Sequence, residues 1–378
     1  MKKRYVSLDV FRGLTVALMI IVNNPGSWSK IYPPLKHAAW DGCTLCDLVF
    51  PFFLFCVGVS MAFALAGFSS LSGTAVKKVL KRGLLLYLTG LFLTAFPFYP
   101  ASTDPDLTFW QNWVNWASNL RLVGVLARIA MCYVLGSLLV LWLKKPGRIA
   151  VAAGLLAVVH VTLLLAFAGE GGAFSLEGNF AGRFDIALLG VEHVYHGYGI
   201  PFDPEGLFGA LTGTSTVLIG YLLGYMIRKS SADYAVAPDV ENSPIGVVAK
   251  TAVSAAVSLL VGWVLSIWIP LNKPLWSVSY VFMTAGWAML VLSVLIYVID
   301  VKGHEKWFYP FRAMGMNALA LFAFSALLMK CIWRFSIWDY TTVFGVSESM
   351  SLLFAVLYML LHMAIAILLY RRKIFIKL

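Results

Sequence analysis

The chain has 378 residues, of which 60% are hydrophobic and only 12% charged, and its mean hydropathy is +0.83. A soluble domain carries about a quarter charged and about half apolar residues, so these totals exclude a cytosolic globular protein, a disordered chain and a disulfide scaffold. They describe an all-α polytopic membrane protein, in which the net charge of +11 reports topology and calls for no nucleic-acid partner.

A bilayer-spanning helix needs about 20 mostly apolar residues. Ten stretches qualify: 6–25, 44–67, 79–98, 119–143, 148–169, 205–227, 247–270, 276–299, 313–332 and 350–370. The first follows Met-Lys-Lys-Arg, contains Asp9 and Arg12 and ends without a small-residue cleavage site, so it reads as a retained span. Asp9 and Arg12 are three apart on one helical face, a spacing that suits an ion pair docking this helix.

Alternate loops differ sharply in Lys and Arg. One side collects Lys2, Lys3, Arg4, Lys77, Lys78, Lys81, Arg82, Lys144, Lys145, Arg148, Arg228, Lys229, Lys250, Lys302, Lys306, Arg312, Arg371, Arg372, Lys373 and Lys377. The other has Lys30, Lys36, Arg121, Arg183, Lys273, Lys330 and Arg334, while Arg12 and Arg128 fall within spans. The positive-inside rule then predicts both termini in the cytoplasm. The extracytoplasmic side receives the longer loops 26–43, 99–118 and 170–204, with a short turn at 271–275. Trp28, Trp40, Trp110, Trp113 and Trp116 in these loops suit either an interfacial belt or a platform for sugar stacking. No internal repeat is evident.

Ionisable or amide side chains inside a bilayer are expensive and mark candidate sites. The densest group is Asn23, His37, Asp41 and Asp47 around the first extracytoplasmic loop. A histidine whose tautomer is fixed by a carboxylate, beside an amide donor, has the parts for general-base chemistry with oxyanion stabilisation. The plainer reading makes Asp47 a helix cap, Asn23 the end of a span and His37 an interfacial residue. Arg128, about two turns below Arg121 in the fourth predicted span, suits an anionic ligand or a buried carboxylate. Asp203 and Glu205 open the sixth predicted span, where carboxylates favour a helix N-terminus or face a cationic substrate. Cys43 and Cys46 form a lone CxxC and read as packing residues near a membrane face. His193 and His196 lack a third ligand of matched spacing, so no metal site is expected. His160 and His362 read as hydrogen-bonded core residues. No nucleotide-binding fingerprint is present.

Eight short stretches in order give the chain a family resemblance. They are Ser-Leu-Asp-Val-Phe-Arg-Gly at 7–13, Val-Asn at 22–23, Lys-His-Ala-Ala-Trp-Asp-Gly at 36–42 and Asp-Leu-Val-Phe-Pro at 47–51. Leu-Arg-Leu-Val-Gly-Val-Leu-Ala-Arg at 120–128, Asp-Pro-Glu-Gly at 203–206, Asn-Lys-Pro-Leu-Trp-Ser at 272–277 and Gly-Met-Asn at 315–317 complete the set. The chain thereby resembles the heparan-α-glucosaminide N-acetyltransferase family of transmembrane acyltransferases, in a short bacterial form. The resemblance implies acetyl-CoA as co-substrate, a glucosamine-type sugar as acceptor, a bacterial inner membrane and a homodimer. It puts the catalytic histidine on His37 and the neighbouring asparagine on Asn23, with Asp47 expected to orient the ring. Trp40, Asp203, Glu205, Asn272 and Lys273 are the residues expected at the acceptor, and Arg121, Arg128 and Asn317 those expected at the donor. The competing reading is a proton-coupled sugar transporter; a second keeps the chemistry and moves it to an envelope polysaccharide.

Overall fold

A computed structural model describes residues 5–68, 71–100 and 103–376; Lys2, Lys3, Arg4 and Lys377 from the charge tally lie outside them. The described residues are all-α, without strands. In chain order the helices are α1 (Val6–Asn23), α2 (Leu45–Ala64), α3 (Gly73–Ala95), α4 (Phe109–Ser118), α5 (Val125–Leu143), α6 (Pro146–Ala166) and α7 (Phe180–Leu189). They continue with α8 (Ala210–Val236), α9 (Pro244–Leu265), α10 (Val278–Leu295), α11 (Tyr309–Met316), α12 (Ala318–Arg334), α13 (Thr341–Phe344) and α14 (Glu348–Arg371). Eight of these segments are long and apolar enough to cross a membrane, or nine if α11 and α12, bent by 71° at Asn317, make one broken span.

Each of the ten predicted stretches contains a helix, but α3 is not among the eight or nine segments apolar enough to span, and three departures are instructive. The third is α3, which starts earlier than expected and takes Lys77, Lys78, Lys81 and Arg82 into the helix itself, so its apolar part is short. The fourth begins only at Val125. Its first residues leave the helix because Leu122 N–H donates to the His193 carbonyl and Gly124 sits at φ 152°, a conformation that L side chains rarely adopt. Arg121 and Arg128 therefore do not share a helix face as the sequence suggested. The sixth begins at Ala210, so Asp203 and Glu205 precede the helix and do not open it.

The centre is built by close helix approach. At Gly58 of α2 a Cβ would overlap the Val217 carbonyl of α8, and at Gly315 of α11 it would overlap the Asp9 carbonyl of α1. Glycine is needed at both crossings because backbone, which cannot yield, occupies the side-chain position. At one end of the bundle the loops after α1, α4, α6, α7 and α9 interlock. Trp40 Nε1 donates to the Phe174 carbonyl at 2.8 Å, and Gly42 N–H to the Leu271 carbonyl at 2.6 Å.

Candidate active site at the start of α2

The sequence Thr-Leu-Cys-Asp at 44–47 places a carboxylate three residues after a threonine, the spacing with which an acidic side chain turns back onto the start of a helix. Asp47 does so: its Oδ2 accepts from Thr44 N at 3.1 Å, Thr44 Oγ1 at 3.0 Å and Ala38 N at 3.1 Å. The other oxygen, Oδ1, meets His37 Nδ1 at 2.7 Å and Lys273 Nζ at 3.4 Å. Cap and orienting carboxylate are thus one residue with two oxygens. Tyr280 of α10 fixes the same turn from below, its hydroxyl donating to the Asp47 carbonyl at 2.5 Å. Asp47 keeps 1% of its side-chain surface exposed and His37 keeps 49%, so a buried charge holds an open ring.

Two further groups touch that ring. Cys46 Sγ, buried, lies 3.2 Å from Nδ1 and 3.6 Å from Nε2, forming the floor. Lys273 Nζ stands 3.0 Å from Nδ1 and 3.5 Å from Nε2. Both cysteines of the CxxC are free thiols, and burial pushes Cys43 up to about 12, with the Asp47 charge adding to it. A histidine pinned through Nδ1 to a carboxylate carries its proton there, leaving a lone pair on Nε2. Such a ring can take a proton from a bound nucleophile or act as one itself.

The other expected residues divide between this site and its surroundings. Asn272 is buried; its Nδ2 donates to Asp41 Oδ1 at 3.0 Å and its Oδ1 accepts from Leu275 N at 2.7 Å, so it shapes the turn that presents Lys273. Asn23 is exposed at the end of α1, and among the described residues no hydrogen bond joins its side chain to His37. Trp40 packs edge-on against Tyr198 and Phe202. Asp203 takes a two-point grip from Arg121, Nε to Oδ2 at 2.7 Å and Nη2 to Oδ1 at 2.6 Å, and Glu205 meets the same guanidinium at 2.6 Å. Burial acts to lower the Arg121 pKa, but the two carboxylates outweigh it and raise it above the ordinary value. The guanidinium and carboxylates of this cluster thus bind each other.

Arg128 is 1% exposed. Its Nη2 donates to the Gly206 carbonyl at 2.8 Å, its charge lies 5.5 Å from the Trp276 ring, and Nε and Nη1 have no hydrogen-bond partner among the described residues. Asp185 of α7, close to the same segment, accepts from Phe208 N at 3.0 Å, and burial pushes its carboxyl up to about 7. Asn317, at the bend between α11 and α12, clasps the tail: Nδ2 donates to the Ile374 carbonyl at 3.1 Å and Oδ1 accepts from Ile376 N at 2.8 Å. His193 and His196 both bond backbone carbonyls. His160 and His362 are buried and bond the carbonyls of Leu275 and Tyr358.

Sequence reasoning missed Cys46 as a neighbour of the ring and Thr44 as a partner of Asp47, although the Thr-x-x-Asp spacing announces the cap. It put Lys273 with the acceptor residues without the contact to His37, because the two are 236 positions apart.

Residues 4–176 match the family described as heparan-alpha-glucosaminide N-acetyltransferase, catalytic. The chain is 27% identical to the human heparan-alpha-glucosaminide N-acetyltransferase over 375 residues, covering 84% of this chain and 52% of the human protein. It is 25% identical to the mouse protein of the same name over 370 residues, covering 83% of this chain and 52% of that one. The chain thus spans about half the length of the relatives it matches. The matched segment contains His37, Asp47 and Cys46 and excludes Lys273.

Proposed function

We propose that this chain, a short relative of heparan-alpha-glucosaminide N-acetyltransferase, is a transmembrane N-acetyltransferase that moves an acetyl group from cytosolic acetyl-CoA to the amine of a glucosamine-type sugar on the extracytoplasmic side. The observation that carries this reading is the His37–Asp47 pair inside the matched segment, a half-exposed imidazole on a buried carboxylate. Nε2 takes the ammonium proton of the acceptor so that the amine attacks the thioester carbon, or it receives the acetyl group and passes it on. Asp47 holds the tautomer and stabilises the imidazolium formed.

The Lys and Arg tally supports a topology with both termini in the cytoplasm and this end of the bundle outside. Lys77, Lys78, Lys81, Arg82, Lys144 and Arg148 then line the cytoplasmic rim, where they attract the phosphates of the donor. A bacterial inner membrane and a homodimer complete the reading, both on the strength of the resemblance.

The test uses purified protein in liposomes with acetyl-CoA and glucosamine, following free thiol and acetylated sugar together. Coupled release of both, lost in His37→Ala, is the expected result. Sugar accumulation without thiol release would replace the transferase with a transporter. An acetyl group recovered on His37 after a single turnover without acceptor would select the two-step route.

A further inference from the structure

We propose that Lys273 is a catalytic residue of this site, the donor to the thioester oxygen as charge builds on it. The proposal deepens the transferase reading and rests on it.

Proton placement on the ring decides what Lys273 is free to do. Asp47 receives donors from Ala38, Thr44 and Lys273, a set that a carboxylate with acceptor sites only is built to take. The 2.7 Å contact between Oδ1 and His37 Nδ1 therefore has its proton on Nδ1. An Nδ1 that donates in this way has no lone pair left for Lys273, although the ammonium stands only 3.0 Å away. Of the three N–H groups on Nζ, one reaches Asp47 Oδ1 at 3.4 Å. The remaining contact to the ring, 3.5 Å to the Nε2 lone pair, is long enough for an arriving carbonyl oxygen to replace it, and it puts the ammonium beside the place where the reacting atoms must sit.

The remaining geometry points the same way. Lys273 keeps 16% of its side-chain surface exposed, so most of its stem is packed and its charge is held at the mouth rather than in bulk solvent. The turn that carries it is rigid. Asn272 spans it with bonds to Asp41 and Leu275, Ser277 N donates to the Asn272 carbonyl at 3.0 Å, and Trp276 is held at φ 53°. A bulky residue in the left-handed region persists only where its surroundings over-determine it. Asn23 was the residue expected to supply this donor, and no hydrogen bond brings it to His37. A preorganised donor aimed at the developing charge is what acyl transfer requires.

The step balances as follows. The ammonium proton first taken by Nε2 is released to solvent, so the acceptor reacts as the neutral amine; its nitrogen forms a bond to the thioester carbon and the carbonyl π pair moves onto oxygen, where the Lys273 N–H groups meet it. The nitrogen proton passes to His37 Nε2. The oxygen pair then re-forms the carbonyl, the carbon–sulfur bond breaks, and the proton on Nε2 goes to the leaving thiolate.

Lys273→Met is expected to lower kcat about 100-fold with the KM for acetyl-CoA unchanged, the signature of a donor that acts in the transition state. Lys273→Arg, which keeps a cationic donor, recovers part of that loss. A spectroscopic readout separates chemistry from simple packing. The ketone analogue of acetyl-CoA, with a methylene in place of the thioester sulfur and a 13C-labelled carbonyl, is bound to each protein and its carbonyl band recorded by infrared difference spectroscopy. A band at lower frequency in the wild type than in Lys273→Met, with the analogue bound by both, supports the proposal. An unshifted band, or a kcat within threefold of wild type, overturns it while leaving the transferase reading intact. A wild-type protein that neither turns over acetyl-CoA nor binds the ketone takes both readings down together.

Discussion

Two clusters of opposite charge occupy the same end of this bundle, and they are finished differently. Around Asp203, the Arg121 guanidinium fills both oxygens of one carboxylate and reaches Glu205 as well, while Asp203 also accepts from Tyr195 N and Glu205 N. Around Asp47, the carboxylate is equally buried, yet the ring it holds is half exposed and the cation beside it has donors to spare. A closed cluster whose members satisfy one another ties loops together. An open one leaves a lone pair and N–H groups directed at whatever arrives. Burial of a charge is common to both, so it is the unsatisfied edge, more than the buried charge, that marks the reactive place.

Mutations can break this comparison from either side. The largest effect is expected from His37→Ala, which should reduce acetyl transfer about 10³-fold, within the range for loss of a general base, and leave thermal unfolding close to wild type because the ring is half exposed. Arg121→Ala should act in the opposite sense. Removing one partner of a buried ion pair costs about 3–5 kcal/mol, so it should lower the unfolding temperature in detergent and reduce yield, while the protein that remains folded retains its KM for acetyl-CoA.

A smaller effect belongs to Asp185, whose carboxyl burial pushes up from the ordinary 3.8 to about 7. The native state therefore holds a proton that the unfolded chain has already lost between those two values. Stability from this group is full below about 4, falls as pH rises through about 7, and is level beyond. Asp185→Asn should flatten that slope, read from unfolding temperatures at pH 5 and pH 8. The smallest test concerns Cys43. With its thiol pushed up to about 12 it should react with maleimide far more slowly at pH 8 than an exposed cysteine, and Asp47→Asn should narrow the gap slightly.

How much of this could be read beforehand follows from what is local in sequence. The apolar runs gave the helices, because span length and hydropathy are properties of a stretch. His37 and Asp47 were legible for the same reason: ten positions and one capping turn separate them. The fourth span was extended too far because Leu-Arg-Leu-Val is apolar enough to pass for helix, and its true partner, the backbone of His193, is distant. Arg121 and Asp203 look like separate ligands in the sequence, since nothing local says that the two loops carrying them meet. Lys273 could be assigned to the right face by topology, but only the packing of the turn before α10 against the start of α2 brings it to the ring. Asn317 was read as a donor-binding residue, and the structure gives its amide to the tail at Ile374 and Ile376.

Helix α1 is completed by segments that lie far downstream in the chain. The opening amides of α1, at Val6 and Ser7, are accepted by Asp300 at 3.0 and 3.3 Å; Arg12 donates to the Gly315 carbonyl at 3.3 Å; and Gly26 donates to the Ser351 carbonyl at 3.2 Å. These partners are all made after α1. The Asp9–Arg12 pair, 3.7 Å apart within one turn, is the only one of these contacts it can make by itself. Local neutralisation of this kind lowers the cost of a charged residue in a span before more distant partners exist. A charge reversal at Asp9 should accordingly show itself in biogenesis, as a first span that fails to stay inserted, before it shows itself in the folded protein.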